Sequence, residues 1–306
     1  MKALSITVAS LILALGTTNA TADTSVLFIG NSFTFGYGSS TMFYRADTVT
    51  DLNNQGIGGV PALFKSFTDQ AGLAYNVSLE TQGGSGLDFH LENKLGEIGS
   101  KPWDKVVMHG YSTLDRDDPG NPDTLVSTTM EMSEFLQSKN PQVEVFLTAT
   151  WSRADQTYLD DRPWTGKPIA EMAQDIRAGY DKAAAAAPAV KSVIAVGEAW
   201  TRAMQSGAAD PNPYDGIDLD KFDLWTWDHY HASSYGYYLE ALVVFGNLTG
   251  LDPRSLGDIE CSAYELGFSR SQVKAMQQAA FDQLAAEGMV EASPLLGSAR
   301  AQRCAN

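Results

Sequence analysis

Short apolar runs, several of them closed by glycine, alternate along this chain with stretches whose apolar positions recur every three or four residues. The first run, Val26-Leu27-Phe28-Ile29, is β-branched at both ends and stops at Gly30, which predicts a buried strand followed by a sharp turn. A helix is expected over 39–50, ahead of a glycine-rich break at Gly56-Ile57-Gly58-Gly59. Alternation over 73–80 predicts a second strand, closed by Gln82-Gly83-Gly84-Ser85-Gly86 and followed by helical spacing over 87–95. Further strands are expected at 103–108, 143–150 and 190–196, and helices at 124–137, 168–187, 198–205, 233–249 and 271–286. Pro188 stops the 168–187 helix. Irregular segments fill 152–168 and 207–227. Strands alternating with helices in this way predict a three-layer α/β/α sandwich around a central, mostly parallel five-stranded sheet.

The N-terminus follows a different pattern. Lys2, an apolar run over 9–15 and Ala20-Thr21-Ala22 give the charged start, short core and A-x-A cleavage signal of a secretory leader. The run is shorter than the ~20 apolar residues of a spanning helix. Residues 1–22 are therefore expected to be a cleaved signal peptide. Residues 23–306 are expected to form one secreted or periplasmic domain with a C-terminal helical extension.

Charge narrows the partners. With 37 acidic against 21 basic residues the formal net charge is −16, which disfavours nucleic acid and anionic lipid surfaces. A monomer is expected. Cys261 and Cys304 would pair in an oxidising compartment and pin the tail, worth about 4 kcal/mol by loop entropy; two free structural thiols are the other reading. They lack the CxxC spacing of a metal or redox site.

Chemistry concentrates at two places. Ser32 falls just beyond the carboxyl end of the first strand, the edge where ligands and reacting groups collect in open α/β sheets. A serine hydroxyl is a weak nucleophile until a base activates it. A candidate base lies far along the chain, in Asp228-His229-Tyr230-His231. The glycines at 56–59 lack GxGxxG spacing, so no dinucleotide cofactor is expected, and without an HExxH-type pattern no metal is expected either.

With these blocks in place the chain resembles the SGNH (GDSL-type) serine hydrolase superfamily. The first family block, a strand and then G-[DN]-S, is matched by Gly30-Asn31-Ser32. The last, D-x-x-H before a helix with G-Y-x-L, is matched by Asp228, His231 and Gly236-Tyr237-Tyr238-Leu239. Gly83-Gly84-Ser85-Gly86-Leu87-Asp88-Phe89-His90 approximates the second. The α/β-hydrolase elbow GxSxG is absent, because Thr34 stands at its second glycine.

The resemblance implies an esterase in which Ser32 is the nucleophile, His231 the general base and then acid, and Asp228 the group that orients the imidazole. It implies carboxylic ester substrates, such as acyl groups on carbohydrates or lipid-like esters. The oxyanion would be held by the Ser32 N–H and a glycine N–H, from Gly84 or alternatively Gly86. The family's third donor is an asparagine, and here that block reads His109-Gly110-Tyr111-Ser112. Losing one such donor costs roughly 3 kcal/mol of barrier. Either His109, Tyr111 or Ser112 substitutes, or two backbone donors suffice, or turnover is slow. His109, Tyr111, Trp151 and Trp227 are candidate substrate contacts; a packed histidine and aromatic loop packing are the competing readings. His229 is expected to meet solvent or substrate, and His90 to be packed and hydrogen-bonded. The rival from another class is a catalytically silent carbohydrate-binding protein on the same fold.

Overall fold

The computed structural model describes residues 23–293. The expected leader and Cys304 lie outside the described residues.

Six strands form one fully parallel sheet in the order β2-β3-β1-β4-β5-β6. They are β1 (Thr24–Gly30), β2 (Thr50–Asp51), β3 (Tyr75–Thr81), β4 (Lys105–Met108), β5 (Glu144–Ala149) and β6 (Val190–Ala195). β1 lies between β3 and β4, with Phe28 opposite Leu79 on one side and Val107 on the other. The α/β/α class is as the sequence predicts, with one strand more. The extra strand is the two-residue edge β2, which begins at the last residue of the expected 39–50 helix. That helix does not form: Arg45 adopts φ +41°, and only two 3₁₀ turns, Ser40–Phe43 and Ala46–Thr48, remain.

Successive side chains of a strand point to opposite faces, so β1 serves two cores. Val26 and Phe28 join a cluster with Leu63 and Phe67 of α2 (Gly59–Gln70), Trp200 of α8 (Val196–Gln205), Phe245 of α9 (Ser234–Thr249) and Met276 of α11 (Arg270–Ala286). Leu27 and Ile29 join another with Leu87 of α3 (Leu87–Asn93), Leu136 of α5 (Asp123–Lys139) and Ile176 of α7 (Ile169–Ala186). One-turn helices α1 (Ser32–Phe35), α4 (Leu95–Ile98), α6 (Ala154–Thr157) and α10 (Cys261–Glu265) complete the framework.

α2 has no counterpart in the sequence reading, because its start is written in loop residues. Gly59 has φ +62°, and a Cβ there would come within 2.5 Å of the Thr34 carbonyl oxygen. Pro61 follows in the first turn, where its missing N–H costs nothing. α9 is buried almost all round, held at its start by the Ser233 hydroxyl, which accepts from the Tyr235 and Gly236 N–H groups. That cap fixes the helix immediately after Asp228 and His231. Among the described residues, no helix is long and apolar enough to cross a membrane.

Candidate active site

β1 ends at Gly30 and the chain turns at once into α1, with Asn31 as its N-cap: the Asn31 side-chain oxygen accepts from the Phe33 N–H at 3.0 Å. Ser32 thus stands at the first position of a short helix above the carboxyl end of the sheet. The Asn31 amide donates across the site to the Ser85 carbonyl (2.8 Å) and to the Gly110 carbonyl (3.3 Å), tying the exits of β1, β3 and β4 together. From below, the buried Tyr237 hydroxyl donates toward the Ser32 carbonyl at 3.1 Å and that of Tyr37 at 3.2 Å.

Asp228 and His231 arrive on the loop before α9. His231 Nε2 lies 2.9 Å from Ser32 Oγ, and His231 Nδ1 lies 2.6 Å from Asp228 Oδ2. The other carboxylate oxygen of Asp228 accepts from the backbone N–H groups of Tyr230 (3.0 Å) and His231 (2.9 Å), so the loop curls around its own carboxylate. A positive φ of 54° at His229 makes that curl. The carboxylate fixes the proton on Nδ1, which leaves Nε2 to accept from the serine hydroxyl.

No protein-family model matches the sequence, and no curated protein matches it either. Solved structures do match. A DUF4886 family protein from Bacteroides uniformis is similar over 88% of this chain and 97% of its own, with a TM-score of 0.61 and 18% identity. A GDSL-like lipase from Parabacteroides merdae is similar over 74% of this chain and 96% of its own, with a TM-score of 0.51 and 16% identity. The chain shares its fold with that DUF4886 family protein and that GDSL-like lipase.

On this fold the turn after β3 carries the candidate oxyanion glycines. Gly84 has φ +71°, and its N–H donates to no protein acceptor among the described residues; the same holds for the Ser32 N–H. Gly86 is pressed against Tyr111, since a Cβ on it would come within 2.4 Å of the Tyr111 ring. Gly84 is therefore the better placed of the two. The turn is braced from behind by His90, whose Nε2 lies 3.1 Å from Ser85 Oγ while its Nδ1 meets the buried Glu80 carboxylate.

Burial lowers the His231 pKa, and the Asp228 carboxylate works against that without cancelling it. For Asp228, burial pushes upward, but the His231 ring and the two backbone N–H groups outweigh it and hold the pKa below the ordinary carboxylate value. At neutral pH the pair is a neutral imidazole beside an ionised carboxylate, the state a general base requires.

Two of the predicted substrate contacts, Trp151 and His109, are buried and engaged with the protein itself. Trp151 is 0% exposed, stacked between Phe33 (4.0 Å) and Trp200 (4.7 Å), with its indole N–H donated to the Tyr230 carbonyl. It packs beneath the helix that carries Ser32. His109 is buried with both nitrogens engaged: Nδ1 donates to the Gly110 carbonyl at 3.0 Å, so Nε2 accepts from the Thr34 hydroxyl at 2.8 Å. Burial takes its pKa down to about 4. Tyr111 remains half-buried at the edge and donates to Asp88. Trp227, beside Asp228, is 76% exposed and open to a ligand. His229 is half-buried against the Tyr214 ring.

The structure also brings in Arg153 at the exit of β5, which the sequence reading passed over. Its guanidinium lies 3.6 Å from the centre of the Tyr230 ring, pairs with Asp155 and donates to Ser112 Oγ at 3.2 Å. Nothing in the local pattern around Arg153 distinguishes it from a surface arginine. Among the described residues, no group of three His, Cys, Asp or Glu side chains could hold a metal ion.

Proposed function

We propose that this protein is an exported serine esterase that hydrolyses carboxylic esters through an acyl-enzyme on Ser32. The observation that carries the proposal is the unbroken line of hydrogen bonds from Asp228 through His231 to Ser32 Oγ. In the forward step Ser32 Oγ attacks the ester carbonyl while His231 Nε2 takes its proton, and Asp228 stabilises the imidazolium that forms. The carbonyl oxygen becomes an oxyanion facing the Ser32 and Gly84 N–H groups. Nε2 then gives its proton to the departing alcohol, leaving the acyl group on Ser32. Water, deprotonated by the same nitrogen, attacks the acyl-enzyme, and the acid leaves as Ser32 recovers its proton.

The substrate class we favour is an acyl group on a carbohydrate or a lipid-like ester, with the exposed Trp227 as a stacking surface at the rim. The similarity to a GDSL-like lipase supports ester chemistry. Export follows from the leader-like residues 1–22 and makes a secreted or periplasmic location part of the same proposal. A serine-reactive phosphonate is expected to label the protein at Ser32, and Ser32→Ala to lose turnover by about a millionfold, as in a serine-triad precedent. Retention of wild-type ester hydrolysis by Ser32→Ala refutes the proposal.

A further inference from the structure

The oxyanion site as described has two backbone donors and lacks the asparagine expected of the third block. Three side chains in that block could replace it, and hydrogen bonding distinguishes them. His109 has no proton to offer, because its Nδ1–H goes to the Gly110 carbonyl and its Nε2 accepts from Thr34. Tyr111 donates its hydroxyl proton to Asp88 Oδ2 at 3.1 Å. Ser112 is different. Its Oγ accepts from Arg153 Nη1 at 3.2 Å, and its own proton has no protein acceptor among the described residues, although the residue is buried.

Position agrees with chemistry. A ring of contacts runs from Ser32 to His231 (2.9 Å), from His231 to the Tyr230 ring (4.1 Å between centres), from Tyr230 to the Arg153 guanidinium (3.6 Å) and from Arg153 to Ser112 (3.2 Å). It closes through Gly110, whose carbonyl holds the Asn31 amide beside Ser32. These contacts link Ser112 to the Ser32–His231 pair.

We infer that Ser112 Oγ–H is the third oxyanion donor, with Arg153 as the residue that orients and polarises it. This rests on the esterase reading and deepens it. A guanidinium donating into the hydroxyl oxygen fixes the rotor, leaves the hydroxyl proton to point into the site and makes it a stronger donor. Asp155, paired to the far edge of Arg153, keeps the guanidinium in that orientation. The cationic chain Arg153–Ser112 would thus do what a neutral amide does elsewhere.

The test compares Ser112→Ala, Ser112→Thr, Arg153→Met and Ser32→Ala on a short-chain nitrophenyl ester, together with inhibition by an alkyl boronic acid. The boronic acid adds to Ser32 Oγ and presents an anionic oxygen to the same donors. Ser112→Ala is expected to lose about 100- to 1,000-fold in kcat with KM little changed. It should lose boronate affinity by a similar factor. Ser112→Thr, which keeps the hydroxyl, should retain most of both. Arg153→Met should lose roughly ten- to a hundredfold in kcat, the scale of a hydrogen bond to a charged group.

Near-wild-type kcat and boronate affinity in Ser112→Ala overturn the assignment, and so does a loss confined to KM. A loss in Arg153→Met without one in Ser112→Ala overturns it as well, in favour of direct contact by the guanidinium. An unaltered Arg153→Met removes Arg153 from the proposal. If Ser112→Ala unfolds, Ser112→Thr decides: a folded threonine variant that has lost turnover sinks the hydroxyl-donor role. Activity in Ser32→Ala would instead strike the esterase reading itself, so the two failures are separable.

Discussion

Replacing Asp228 by asparagine separates a catalytic role for this carboxylate from a structural one. Asp228 does two things through two oxygens: Oδ1 holds the loop by accepting from the Tyr230 and His231 N–H groups, and Oδ2 receives the His231 Nδ1 proton at 2.6 Å. Asparagine can keep the first, since its carbonyl oxygen accepts the same two N–H groups, so the loop and the melting temperature should survive. It reverses the second. The amide NH₂ donates to Nδ1, the ring proton moves to Nε2, and Nε2 now presents a hydrogen to Ser32 Oγ instead of a lone pair. The lost bond to a charged partner is worth about 1.5–3 kcal/mol, and forcing the productive tautomer back leaves a donor unsatisfied for about 1–3 kcal/mol more. Together these raise the barrier by about 2.5–6 kcal/mol, or roughly 10²- to 10⁴-fold in rate. The upper end matches the ~10⁴-fold loss for the same change in a serine protease of unrelated fold. Steady-state kcat on a short-chain nitrophenyl ester, with a thermal melt on the same sample, measures both halves. A folded Asp228→Asn enzyme with wild-type kcat would show that Asp228 only shapes the loop.

Because burial holds the His231 pKa below its ordinary 6.5, kcat/KM should rise with pH as the ring loses its proton, with the midpoint of that limb below 6.5; a midpoint above 6.5 in a pH–rate profile contradicts the electrostatics described. Gly30→Ala would place a methyl 2.1 Å from Thr34 Oγ1 and 2.5 Å from His109 Nε2, so the Thr34–His109 bond must break. The expected cost is about 1–3 kcal/mol of stability with a fall in turnover, and unchanged denaturant midpoint and activity would refute it. The two tryptophans should separate cleanly. Trp151→Ala is expected to destabilise by about 3–5 kcal/mol in a denaturant titration, whereas Trp227→Ala should stay within about 0.5 kcal/mol and raise KM for bulky esters.

What was legible in the sequence is what local rules specify. β1 reads as a strand because four apolar residues end at a glycine, and Ser32 and Asp228/His231 stand out because their spacing must build a turn on its own. α2 was hidden because Gly58, Gly59 and Pro61 look like a loop, although here they start a helix that passes against the backbone of α1. The expected 39–50 helix is broken by extended backbone at Tyr44 and Val49 and by a positive φ at Arg45, which no composition argument foretells. Trp151, Arg153 and Tyr237 were misread or missed for a shared reason. Each has its role set by a partner distant in sequence (Trp200, Ser112 and Ser32, respectively), and no periodicity encodes such a partner. The same limit applies to the third oxyanion donor, since only the folded hydrogen-bond pattern shows which hydroxyl in the block still has a proton to give.

Ser32 and His231 are 199 positions apart, and the helix that fixes the histidine is among the most deeply buried in the molecule. If His231 activates Ser32 as proposed, a polypeptide still being synthesised carries the serine early and its activator late, so it holds only an ordinary alcohol. Under the proposed mechanism reactivity is tied to completion of the core, and a chain cut short of residue 228 is expected to show no ester hydrolysis however well its first half has folded.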